Sequence, residues 1–259
     1  MKAPVLFDVT DHIATLTLNR PQVRNAMDID SYRQLSDSIR RASADPSVSC
    51  LIITGTDPAF CAGDDIKILS GEDQPKDSQG QPMKLELPGG ALRRCSKPII
   101  AAINGPALGY GLEMAVLSDF RLASERATFS ALYIRRSLVA PADSWERLPG
   151  IVGPEAAAEL LLTGDTIDAE RALALRLVSR LVPHDELMPA ARELGARLAR
   201  NPPLALEACK QAMALARTGD RKELRKHINA SVASLSGTDD YRESIQAFRE
   251  RRDPIFRGC

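Results

Sequence analysis

Between residues 13 and 18 the chain alternates, with Ile13, Thr15 and Thr17 on one side and Ala14, Leu16 and Leu18 on the other. That period predicts a strand, ended by Arg20-Pro21. Residues 28–44 keep a helical period that sets Ile29, Tyr32, Leu35 and Ile39 near one face. Residues 50–54 form a short β-branched apolar run suited to a buried strand. The order returns as a strand over 99–103, a helix over 111–118 and a strand over 120–123. Strands alternating with helices predict βαβ units and a largely parallel sheet. Residues 71–90 interrupt this with Gly, Pro, Asp, Lys and Gln in no period, which predicts a surface loop rather than a domain linker. After about residue 185 only helical periods remain. One carries Leu187, Ala191, Leu194 and Leu198 and stops at Asn201-Pro202-Pro203. The next carries Ala205, Ala208, Ala212 and Leu215. A third starts at Asp220, a cap with Glu223 three residues on, and carries Leu224, Ile228 and Leu235. The last shows Tyr241, Ile245 and Phe248. Narrow apolar stripes of this kind suit packing on another subunit.

Composition narrows the functional classes. The 259 residues are 44% hydrophobic and 26% charged, so a sizeable core is possible and a disordered chain is excluded. Aromatics are only 4%, which leaves the core to Ala, Leu, Ile and Val. Lys plus Arg equals Asp plus Glu at 34 each, so no global field favours nucleic acid or an anionic membrane. The stretch 99–118 is nearly uncharged and of membrane-spanning length. Asn104, Gly105, Pro106, Gly109, Gly111 and Glu113 within it argue for a strand, a glycine turn and a helix instead. Cys50, Cys61, Cys95, Cys209 and Cys259 are odd in number and form no CxxC or Cys/His cluster, so neither a metal site nor a disulfide framework is expected. Free thiols and an N-terminus without a long apolar segment predict a cytoplasmic location.

Two segments carry the chemistry: Phe60-Cys61-Ala62-Gly63-Asp64-Asp65-Ile66-Lys67, and Asn104-Gly105-Pro106-Ala107-Leu108-Gly109-Tyr110-Gly111-Leu112-Glu113. Each follows a predicted strand and opens a predicted helix. N–H groups in a first helical turn lack intrahelical partners and sit at the positive end of the dipole. Glycine allows close backbone approach and positive φ. One such turn often serves packing alone. Two meeting at neighbouring strand ends predict an anion site, or, aimed at a carbonyl oxygen, an oxyanion hole. Gly105, Gly109 and Gly111 also match the glycine spacing of short-chain dehydrogenases. That pattern belongs near the N-terminus, with a Tyr-x-x-x-Lys pair, and none of Tyr32, Tyr110, Tyr133 or Tyr241 has a lysine four residues on.

The sequence resembles the crotonase family, the enoyl-CoA hydratases and isomerases, along essentially its whole length. The matching pieces are Leu18-Asn19-Arg20-Pro21 with Arg24-Asn25-Ala26, the two segments above with Lys97-Pro98 before the second, Leu162-Thr163-Gly164-Asp165, Leu177-Val178-Ser179-Arg180-Leu181-Val182, and Ala247-Phe248-Arg249-Glu250 running to Asp253-Pro254-Ile255-Phe256. The resemblance implies an α/β crotonase (ClpP-like) spiral of ββα repeats. Residues 1–185 would form the acyl-CoA-binding core and 186–259 a C-terminal helical region for trimerisation, with hexamers from paired trimers.

It further implies an acyl-CoA thioester as substrate, with coenzyme A part of that substrate and no separate cofactor. The backbone N–H groups of Asp64 and Tyr110 would hold the thioester oxyanion, and the Asp64 side chain is also placed to cap its helix. Arg24 and Lys67 match coenzyme A contacts, and also read as solvated surface charges. Ala62, Gly63, Asp65, Ile66 and Gly109 fall in the binding segments. Glu113 matches a catalytic carboxylate, and the dipole at a helix N-terminus favours its ionised form. A second family carboxylate is replaced by Tyr133, a poor base with an ordinary pKa near 10. Another family aspartate position holds Pro141. Asp143, two residues later, reads either as the missing acid or as a helix cap. Arg135 and Arg136 would meet a substrate carboxylate or face solvent. Of the three histidines none lies in a matched segment. Hydration of a 2-enoyl-CoA is the leading expectation. Isomerisation by one carboxylate, or a catalytically reduced homologue that binds acyl-CoA or RNA, are the alternatives.

Overall fold

Buried on both faces, a parallel strand reads as an unbroken apolar run, and the chain's most apolar runs do lie at the centre of a six-stranded sheet. The computed structural model describes residues 3–71 and 87–259. The chain opens with β1 (Val5–Thr10), β2 (Ile13–Leu18) and α1 (Ile29–Ala44), followed by β3 (Cys50–Gly55), α2 (Ile66–Leu69) and α3 (Gly89–Arg94). Next come β4 (Ile99–Ile103), β5 (Ala107–Leu108), α4 (Tyr110–Leu117), β6 (Phe120–Ser124) and β7 (Thr128–Ser130). Then follow α5 (Ala142–Val152), α6 (Pro154–Thr163), β8 (Ile167–Asp168), α7 (Ala169–Ala174) and β9 (Arg180–Val182). The chain ends in α8 (Leu187–Ala199), α9 (Pro203–Thr218), α10 (Arg221–Leu235) and α11 (Asp239–Glu250).

The large sheet has the order β1-β2-β3-β4-β6-β9. Only β1 runs antiparallel to its neighbour; β2 to β9 are parallel, with Ile13 opposite Cys50, Leu51 opposite Ile99 and Ile100 opposite Phe120. A second sheet, β5-β7-β8, has three short strands. Alternate residues of the large sheet feed two cores. Ala14, Leu16, Leu51, Ile53, Ala101 and Ile103 pack with α1 residues Tyr32, Leu35 and Ile39 and α4 residues Leu112 and Val116. Ile13, Cys50, Ile52, Ile100, Ala102 and Leu122 pack under Leu187, Ala190 and Ala191 of α8. The first C-terminal helix thus closes the sheet's second face. Helices α9 and α10 bury no residue.

Capping follows the sequence closely. Asp28 accepts from the N–H of Ser31 at the start of α1, and Asp220 accepts from Lys222 and Glu223 at the start of α10. The stretch 71–90 differs from expectation. Residues 72–86 of that predicted loop lie outside the described residues, and its end is helical, because Gly89 and Gly90 begin α3. That helix is held by its apolar side, Ala91 and Leu92, despite a glycine-rich start. All five cysteines are free, and Cys50, Cys61 and Cys95 are buried. Among the described residues no helix is long and apolar enough to cross a membrane.

Candidate active site

Strands β3 and β4 are adjacent and parallel, so the segments leaving their C-terminal ends emerge side by side. In parallel sheets this is where ligands bind. Two backbone hydrogen bonds join the segments, Cys61 N–H to Pro106 O at 3.0 Å and Leu108 N–H to Cys61 O at 2.9 Å. On its other side the first segment is laced to residues 24–27. Ala62 N–H donates to Arg24 O, Met27 N–H to Gly63 O, and Asp65 N–H to Met27 O, at 3.0, 2.8 and 2.9 Å. Within this lacing the N–H of Asp64 donates to no described residue, nor does that of Tyr110.

The two segments that carry these donors approach closely because Gly63 and Gly109 are glycines. Gly63 has φ +94° and Gly109 +52°. A Cβ on Gly63 would stand 2.9 Å from Leu108 O and 3.4 Å from Tyr110 N. Beside them is a chamber of about 20 Å3, bordered by Gly63, Asp64, Gly109, Tyr110, Tyr133 and Arg136. That volume admits an atom the size of a water oxygen. The donor at Tyr110 is the first residue of α4, as expected. Asp64 is not at a helix N-terminus, since α2 begins two residues later at Ile66.

The side chains around the donors correct three expectations. First, Asp64 does not cap α2; the cap is Asp65, which accepts from Lys67 N–H. Asp64 instead accepts a hydrogen bond from the Tyr32 hydroxyl of α1. Burial pushes the Asp64 carboxyl above the usual range, against the opposing effects of Tyr32 and Arg136. Tyr32 also packs edge-on against Tyr110, with ring centroids 5.3 Å apart, so α1 touches both donor residues.

Second, Glu113 is not held ionised by the helix dipole. It is 1% exposed, and burial pushes its carboxyl up to about 7, with the nearby charge of Asp143 adding to the effect. A hydrogen bond from Ser144 and the charges of Arg93 and Arg147 oppose this without overcoming it. Ser144 Oγ donates to Glu113 Oε2, and Glu113 Oε1 is buried with no partner among the described residues. Third, Asp143 does not cap α5, whose N-cap is Pro141. Asp143 is buried in the first turn and ion-paired to Arg93 of α3.

Tyr133 joins the two halves of the site. It borders the chamber, its Oη is buried without a described partner, and burial followed by the charges of Asp64 and Glu113 drives its phenol far above the ordinary value. It is therefore a hydrogen-bond donor and not a base. Arg135 and Arg136 part company: Arg135 pairs with Asp165, while Arg136 stays at the chamber. Arg24 and Lys67 are exposed beside the first segment, with no ion-pair partner among the described residues. Ile66 is two-thirds exposed next to them. No group of three or more His, Cys, Asp or Glu among the described residues stands close enough to hold a metal ion.

Tyr32, Ser144, Arg93 and Arg20 were not legible as site residues. Tyr32 and Ser144 act across gaps of 32 and 31 residues, and no local spacing marks such a pair. Arg93 lies just after the stretch expected as loop, in a segment for which no element was expected. Arg20 was visible only as part of a motif. Its guanidinium bridges Asp28 at 3.2 Å and Asp65 at 3.0 Å, and donates to Ala26 O at 2.6 Å. It thereby joins the caps of α1 and α2 around the first donor segment. Arg20→Met should lower the unfolding free energy by about 2–3 kcal/mol, because Asp65 is left buried without its cation. Urea denaturation checks this, and a change below about 0.5 kcal/mol would count against the bridge.

The family profile of enoyl-CoA hydratase/isomerase matches residues 8–258. The chain is 35% identical to (E)-benzylidenesuccinyl-CoA hydratase of Thauera aromatica, over 99% of this chain and 100% of that protein. It is 34% identical to 2,3-dehydroadipyl-CoA hydratase of Escherichia coli K12, over 95% of each. The crystal structure of enoyl-CoA hydratase from Mycobacterium tuberculosis H37Rv superposes with a TM-score of 0.89 at 32% identity, covering both chains completely. With a whole-length match in sequence and in crotonase fold, the chain belongs to the enoyl-CoA hydratase/isomerase family.

Proposed function

We propose that this protein is a lyase of the hydratase type, adding water to the double bond of a 2-enoyl-CoA. The observation that carries the reading is the pairing of two partnerless backbone donors, Asp64 and Tyr110, with a buried carboxyl, Glu113, whose Oε1 is unoccupied. Attack of water at Cβ moves electrons onto the thioester oxygen, and two fixed N–H groups stabilise that charge in a site with little room for water. Glu113, with a pKa near 7, is present in both forms at neutral pH. As carboxylate it takes a proton from the attacking water, and as acid it returns that proton to Cα. Ser144 holds Oε2, so Oε1 is the working oxygen. The sum is one water added, oxygen to Cβ and hydrogen to Cα, with Glu113 restored.

Arg24 and Lys67 supply unpaired positive charge for the phosphates of coenzyme A beside Asp64, and exposed Ile66 gives an apolar contact for the remainder of the carrier. Asp143 acts through its charge, neutralised in part by Arg93, and is a weaker candidate than Glu113 for proton transfer. Exposed Met213, Val232 and Phe248 on α9, α10 and α11 support assembly into trimers or hexamers.

The test is loss of enone absorbance when purified protein meets crotonyl-CoA and a panel of larger 2-enoyl-CoA thioesters. Tyr133→Phe should keep hydration but lower kcat/KM by roughly tenfold, the worth of one neutral hydrogen bond. Conversion of a 3-enoyl-CoA to its 2-enoyl isomer with no hydration of the product would replace this reading with isomerisation. Tyr133 favours that second reading, since it leaves one working carboxyl where hydration commonly divides acid and base between two groups.

A further inference from the structure

A second cavity, of about 460 Å3, lies between α9 and the ends of α3, α4 and α5. Its charged lining is unbalanced. Lys210 pairs with Asp119 at 2.8 Å, Glu207 with Lys97 at 2.5 Å, and Arg93 with Asp143. Arg147 and Arg217 also line it and have no acidic partner among the described residues. Arg147 is half-buried, and its one described hydrogen bond goes to Leu117 O at 3.2 Å. Burial and then the charge of Arg217 hold its guanidinium below the ordinary range. The charges of Asp143 and Asp119 act on Arg147 in the opposite sense, but those carboxylates, like Glu207, are ion-paired to Arg93, Lys210 and Lys97. Two guanidinium groups thus share one opening with no acid of their own, an arrangement that an anion would relieve.

We propose that this cavity binds a small oxyanion, held between the planar forks of Arg147 and Arg217 and separate from the chamber at Asp64 and Tyr110. A guanidinium presents parallel N–H groups matched to two oxygens of a phosphate or carboxylate. Free coenzyme A offers the same phosphate chemistry, so the test separates the two. Calorimetry on the full chain at constant ionic strength uses inorganic phosphate and succinate as probes. Saturable binding is expected, weakened at least tenfold by Arg217→Ala and by Arg147→Lys, which keeps the charge but removes the fork. Arg217 lies at the exposed end of α9, so its variant should fold and keep its turnover. Binding that survives saturation with coenzyme A belongs to the cavity. No saturable heat from either probe, equal affinity in both variants, or heat abolished by coenzyme A would overturn the assignment. None of these outcomes depends on whether the protein hydrates an enoyl-CoA.

Discussion

Glu113→Gln is expected to lower hydratase turnover by about 10^2–10^4-fold and, at the same time, to stabilise the protein at alkaline pH. The amide can still accept the Ser144 hydrogen bond, but it cannot move a proton. The stability effect follows from the carboxyl's pKa, raised by burial from an ordinary 4.5 to about 7. Below about pH 4.5 folded and unfolded chains both carry the proton, and neutral burial costs nothing extra. Between 4.5 and 7 the unfolded chain releases its proton while the folded one keeps it, so stability falls as pH rises. Above 7 the folded protein holds a buried charge, and the accumulated loss is on the order of 3 kcal/mol. The Gln variant lacks this slope. Urea midpoints at pH 5 and pH 8 should therefore separate for the native protein more than for the variant. Parallel behaviour would show that Glu113 is not buried as described, and retained turnover would remove it from the chemistry. The same titration predicts a rate that climbs through an apparent pKa near 7 as the base form appears.

Gly63→Ala should reduce kcat by about 10^2–10^3-fold, the usual cost of losing one oxyanion donor, with only about 1–2 kcal/mol lost in stability. The added methyl would meet Leu108 O at 2.9 Å on a backbone at φ +94°. Relief requires the two segments to part, which moves the Asp64 and Tyr110 donors out of convergence. Gly150→Ala is the matching control, because nothing lies within 4 Å of a Cβ there. Comparable kinetics of the two variants would sink the two-donor account. Circular dichroism and the urea midpoint guard against a trivial loss of fold.

The edge strands β1 and β9 of the large sheet, mostly exposed or half-buried, carry no legible pattern. Its other four strands, β2, β3, β4 and β6, and α1 were legible because burial writes itself as apolar alternation, apolar runs and a helical stripe. Cys50–Gly55 and Ile99–Ile103 were read to within a residue for that reason. The small sheet was not, since β5 and β8 have two residues each and too few positions to show a period. Helix α3 was hidden by its glycines, whose cost is met by tertiary packing of Ala91 and Leu92. Asp64 and Tyr110 have N–H groups without a described acceptor, and the two glycine turns that hold them were legible because they rest on glycine and backbone. The state of Glu113 was not, because sequence locates the helix end but not the depth of burial. Asp64 was given the role that Asp65 performs, a one-residue error in a run of two acids.

The lacing of residues 20–32 around Asp64 has a wider consequence. One donor is clamped through its neighbours' backbone by Met27, through its side chain by Tyr32, and through Arg20 and the Asp28 and Asp65 caps. Leu132, Tyr133, Arg136 and Leu138, which also border the chamber, arrive from the stretch after β7. The clamped residues beside Asp64 and these other chamber residues therefore occupy different stretches of chain. Under the proposed function, the fixed donors and the groups facing the acyl part are thus encoded separately. Such a division would let the wall be rewritten residue by residue, altering what fits, while the pair of backbone donors proposed to answer a carbonyl oxygen keeps its shape.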